Sequence, residues 1–106
     1  MKLLNFSHPM TEAQIEAVGN LVGAKMEIYD IKVQIDNKVS IMPQIRAIVD
    51  QVLVALEGEY HEYVVNPPGL AVAAVLLCQR LPGHYKTVRM VSDGGTPPRF
   101  HVAEVV

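Results

Sequence analysis

Along the 106-residue chain the spacing of apolar positions switches between the strand and helix periods, and each switch marks a predicted element. Lys2 to Phe6 is a short apolar run that the turn residues Ser7-His8-Pro9 interrupt, the pattern of a buried first strand. A helix is predicted next: Thr11 and Gln14 have capping-box spacing, Glu12 suits the first turn, and Ile15, Val18 and Val22 recur at helical intervals. Gly23 supplies its stop. Met26 and Ile28 share one alternation and Ile31, Val33 and Ile35 the other, which predicts a strand over 26–35 with a bulge near Tyr29-Asp30.

Pro43 fits the first turn of a second helix, whose apolar stripe is Ile45, Ile48, Val49, Val52, Leu53 and Leu56, with Gly58 as its end. A third strand is expected over Tyr60 to Val65, closed by Asn66-Pro67-Pro68-Gly69. Leu70 to Leu81 is apolar almost all round. That pattern predicts a helix covered by the sheet on one side and by a second surface, such as another subunit, on the other. Tyr85 to Val91 and Arg99 to Val106 flank a connection too short for a crossover helix, so they are expected to form an antiparallel hairpin. The order β-α-β-α-β-α-β-β predicts an α/β three-layer sandwich with a mostly parallel sheet and a C-terminal antiparallel hairpin. No repeat or low-complexity linker interrupts it, and 106 residues suit a single domain over 1–106.

Composition narrows the function classes. Half the residues are hydrophobic and 19% are charged, a globular balance. The longest apolar run, Leu70 to Cys78, is far short of the ~20 residues that span a bilayer, and no basic-then-apolar leader is evident, so a cytoplasmic protein is expected. Cys78 is the only cysteine and lies within that run, which leaves no intramolecular disulfide, no zinc thiolate cluster and an inert buried thiol as its reading. A net charge of −2 and a pI near 6.0 argue against a surface for long DNA or RNA. A small anion needs only a few directed donors, which helix starts supply.

In a parallel sheet the ligand crevice lies beyond the carboxyl ends of the strands. The turn after the first strand brings Asn5, Ser7 and His8 there, and the turn after the third brings Asn66. If the first strand of the hairpin runs parallel to these, Gly94, Gly95, Thr96 and Arg99 join the same edge. Plainer readings stand beside each. Ser7 and His8 also suit an ordinary turn, Asn66 also suits backbone capping before two prolines, and Gly94-Gly95 also suits a hairpin turn. Arg99 beside a glycine-rich loop is well formed for bidentate phosphate contact, although a solvated surface arginine is the ordinary case. His61, His84 and His101 lack metal-ligand spacing, and no metal or cofactor is expected. Dinucleotide, phosphate-loop and nucleophile-elbow motifs are missing, which weakens oxidoreductase, NTPase and hydrolase readings.

Taken together, Leu3-Leu-Asn-Phe-Ser-His-Pro9, Val65-Asn-Pro-Pro-Gly69 and Gly95-Thr-Pro-Pro-Arg-Phe100, with Val102-Ala-Glu-Val105 at the end, resemble the small CRISPR-associated ancillary proteins of type III systems. The likeness runs nearly end to end and is to the sensor domains known as CARF. It implies a Rossmann-like fold and a cyclic oligoadenylate ligand, with cyclic tetra-adenylate the expected ring. By that resemblance Asn5, Ser7, His8, Asn66, Thr96 and Arg99 are the expected ligand-binding residues, with Phe6 and Phe100 as candidate walls for the adenines. A ring of four phosphates suits a homodimer or higher oligomer that presents every donor twice. No lysine accompanies the motifs and no second histidine or carboxylate pairs with His8, so a sequestering sponge is expected over a ring nuclease, for which His8 would be the catalytic candidate. An interaction module that binds no nucleotide is the third reading.

Overall fold

The computed structural model describes residues 1–106. Strands β1 (Lys2–Asn5), β2 (Glu27–Asp30), β3 (Tyr63–Asn66), β4 (Tyr85–Ser92) and β5 (Phe100–Val105) alternate with helices α1 (Glu12–Val22), α2 (Ile41–Leu56) and α3 (Ala71–Cys78) in the order β-α-β-α-β-α-β-β. The strands form one mixed sheet in the order β2-β1-β3-β4-β5. Neighbours from β2 to β4 run parallel, and β4 and β5 are antiparallel.

Alternation along β1 and β3 builds two cores. Leu4, Tyr63 and Val65 pack with Ile48, Val52 and Leu56 of α2 and Leu77 of α3. Leu3 and Val64 pack instead with Val18 of α1 and Val88 of β4. The central strands are therefore buried on both faces, as their continuous apolar runs require. Lys2 is the charged residue inside. Its Nζ donates to the Ala55 carbonyl at 2.8 Å, where a cation complements the end of α2, and lies 3.8 Å from a Glu57 carboxylate oxygen.

Local signals act as expected at the ends of α1, whereas α2 stops at Leu56 with Glu57, one residue before the expected Gly58, in the left-handed region. Thr11 Oγ1 accepts from the Gln14 amide while Gln14 Oε1 accepts from the Thr11 amide, a complete capping box, and Gly23 closes α1 in the left-handed region with φ +73°. Gly83 meets a stricter demand. Its φ is +64°, and a Cβ there would fall 1.8 Å from the Tyr60 carbonyl oxygen, which accepts the His84 amide.

Three other element boundaries differ from the sequence-based expectation, and two differ for one reason. The strand expected over 26–35 ends at Asp30, because β1 ends at Asn5 and offers no ladder beyond the bond from the Ile31 amide to the Asn5 carbonyl. Ile31, Val33 and Ile35 still point into the α2 side core, but off the sheet. The strand expected over 60–65 begins only at Tyr63, opposite the first residues of β1 and β4. The helix expected over 70–81 is α3, with eight residues; Ala73 and Leu77 are buried, and Val72 and Val75, 49% and 57% exposed in the single chain, lie on the side expected to meet a second surface. No helix is long and apolar enough to cross a membrane.

Candidate functional site

The parallel register sets three polar residues side by side at the carboxyl edge of the sheet: Asn5 is paired with Asp30 on one side and with Asn66 on the other. Adjacent parallel strands lie about 4.8 Å apart, so these side chains are within reach of one another. The Asn5 amide nitrogen donates to Asp30 Oδ1 at 2.8 Å and to the His8 carbonyl at 2.9 Å. The Asn5 amide oxygen accepts from Asn66 Nδ2 at 2.9 Å and from the Ser7 amide at 3.2 Å. With 1% exposure and all four hydrogen-bonding positions occupied, Asn5 braces three turns and retains no free position for a ligand. Asn66 is buried as its partner.

The braced turns enclose a crevice of about 610 Å³, within the roughly 300–1,000 Å³ of small-molecule sites. Ser7 and His8 form one wall, Asp30, Ile31 and Lys32 a second, and Gly69 with Leu70 a third. Phe6 lies at its base and also belongs to the core. Leu70 opens α3 with no side-chain cap, so the first amides of that helix have neither a side-chain nor an intrahelical acceptor. Lys32 is exposed, and the two ion pairs of the fold, Lys2 with Glu57 and Arg89 with Glu104, leave its ammonium unpaired. The crevice therefore offers a cation and a carboxylate on one wall, and hydroxyl, imidazole and backbone donors on the other two.

The hairpin turn forms a separate feature on the same edge. Asp93 Oδ1 accepts the amides of Gly95 at 2.8 Å and Arg99 at 3.1 Å, which holds the carboxyl below the usual aspartate range. Ser92 Oγ accepts the Gly94 amide, so both glycines serve the turn. Gln14 Nε2 donates to the Phe100 carbonyl at 2.9 Å and ties this end of β5 to the start of α1. Thr96 and Arg99 are exposed and lie outside the crevice lining, with β5 three strand spacings from β1, roughly 14 Å. Phe100 is 52% exposed.

Of the residues expected at the site, Asn5, Ser7 and His8 line the crevice, Asn66 is buried behind it as the partner of Asn5, and Thr96 and Arg99 stand apart on the hairpin. Gly69, from the second motif, also lines the crevice, while Asp30, Lys32 and Leu70 are lining residues that the motif reading passed over. Asp30 and Lys32 were hidden inside a strand expected to continue past them, although an acidic residue ending the second strand of a parallel sheet is itself a recognisable signal. No group of three or more His, Cys, Asp or Glu side chains converges as a metal site. Comparison with known proteins finds no matching family model, no similar curated protein and no similar solved structure.

Proposed function

We propose that the crevice binds a phosphorylated ribonucleotide, and that the ligand is a cyclic oligoadenylate, cyclic tetra-adenylate by the sequence resemblance, which the protein sequesters as a sponge. The observation that carries this reading is the meeting of Lys32, Ser7, His8 and the uncapped start of α3 on one crevice at the carboxyl edge of a parallel sheet. These groups supply donors and positive charge to a phosphate, in a chain whose overall charge is slightly negative. The strand order and the helices against both faces support a Rossmann-like three-layer sandwich; the CARF-like reading rests on the sequence resemblance, and the cytoplasm is its proposed location.

One crevice holds part of a four-phosphate ring, and a two-fold homodimer would supply a second. The half-exposed Val72 and Val75 on α3 adjoin Leu70 at the crevice mouth and suit such pairing. Within a dimer Arg99 and Thr96 of the hairpin would extend the contact beyond the crevice.

A ring nuclease is the second reading, favoured by one observation: the Asn5 amide holds both the His8 backbone and the Asp30 carboxylate, so an imidazole and a carboxylate line one cavity. Calorimetric titration with cyclic tetra-adenylate tests binding, and chromatography after incubation with excess ring tests turnover. Saturable binding with the ring recovered intact is the expected result. Multiple turnovers to linear products would replace the sponge by the nuclease, and an absence of heat and of any thermal shift would remove the nucleotide reading.

A further inference from the structure

We propose that Asp30 accepts a hydrogen bond from a ribose 2′-hydroxyl and so makes the crevice selective for ribonucleotide over deoxyribonucleotide ligands. The inference rests on the nucleotide reading above and assigns a role to the one lining group which that reading leaves unexplained. A carboxylate in a phosphate-binding crevice is at first sight misplaced, since it repels the anion. Its orientation is nonetheless fixed: Oδ1 is held by the Asn5 amide at 2.8 Å, Asn5 is itself buried and saturated, and Asp30 makes no ion pair. Asp30 is exposed, and its second carboxylate oxygen meets no protein donor, which leaves it open to a ligand.

An ionised carboxylate can only accept, so its partner in the ligand must be a donor. A cyclic adenylate ring carries two kinds of donor, the adenine amino group and the 2′-hydroxyl that 3′,5′ linkage leaves on the sugar, and comparison with the 2′-deoxy ring separates them. Asp30 is also the last residue of β2, beside β1, with the turn after β1 on its flank. In doubly wound parallel sheets the acidic residue at this station takes a ribose hydroxyl while phosphate sits at a helix start. The crevice allows the same division, with the first amides of α3 on one wall for phosphate and Asp30 on another for sugar.

The test is calorimetric titration of cyclic tetra-adenylate and of its all-2′-deoxy counterpart into the wild-type protein and into the variants Asp30→Ala and Asp30→Asn. A hydrogen bond to a charged acceptor predicts that the wild type prefers the ribose ring by about ten- to a hundredfold. In Asp30→Ala the preference falls to within about twofold, through weaker binding of the ribose ring alone. Asp30→Asn keeps an oxygen for Asn5, loses the charge, and falls between the two. Equal binding of both rings by the wild type, or an undiminished preference in Asp30→Ala, overturns the assignment while the nucleotide reading stands. Binding of neither ring overturns both. Unchanged affinities with products lost only in the Asp30 variants would make the carboxylate a proton acceptor in cleavage, which also overturns it as a recognition group.

Discussion

Asn5 and Asp30 hydrogen-bond side chain to side chain at 2.8 Å although they are 25 residues apart, because the parallel register of β1 and β2 sets their Cα atoms opposite each other. Asn5 is the point at which the turns after β1, β2 and β3 are tied together. Replacing it by alanine removes four hydrogen bonds at once and strands the buried amide of Asn66. Such losses cost of order 1–3 kcal/mol for each unsatisfied partner, so Asn5→Ala is expected to lower stability by about 2–4 kcal/mol in urea unfolding. Asn66→Ala removes one of the four bonds and should cost less.

Gly83 and Gly23 separate two reasons for glycine. Both have positive φ, but an added Cβ at Gly23 meets open space while at Gly83 it collides with the Tyr60 carbonyl. Thermal unfolding should register Gly23→Ala as a loss of about 1 kcal/mol, the conformational cost alone. Gly83→Ala should lose clearly more, because the β3 and β4 approaches must part.

The order of the hairpin depends on Asp93 being ionised. Its folded-state pKa lies below that of the unfolded chain, so its contribution is fully present above the ordinary aspartate value of about 3.9 and is lost as pH falls through the lower folded value. Protection of the Gly95 and Arg99 amides, measured against their intrinsic exchange, should therefore hold through mildly acid pH and fall only below about pH 4. In Asp93→Ala the same two amides should lose that protection at every pH, with the core amides of β1 and β3 unaffected.

Lys32 and Arg99 probe the extent of the ligand. Lys32→Ala is expected to weaken cyclic tetra-adenylate about tenfold and to flatten the salt dependence of binding, since it removes a cation from the crevice. Arg99→Ala should also weaken it, because a four-phosphate ring reaches past one crevice to the hairpin. Calorimetry at two salt concentrations reads both effects, and full affinity in the Arg99 variant would confine the site to the crevice.

What the sequence determined by itself was local. The order of elements, the capping box of Thr11 and Gln14, the left-handed stop at Gly23, the stripe of α2 and the antiparallel β4–β5 pair all follow from neighbouring residues, whose spacing sets backbone preference and buried face. Ser7 and His8 were legible for the same reason, as turn residues directly after a strand. The tertiary structure alone decided the rest. Strand ends depend on where the partner strand stops, so β2 breaks off after Asp30 because β1 has no residue left to pair. Helix α3 carries one apolar pattern on both sides, and packing, not pattern, left Val72 and Val75 outward. The bracing role of Asn5, and the place of Asp30 and Lys32 on the crevice, come through contacts across sequence separations that no local pattern encodes.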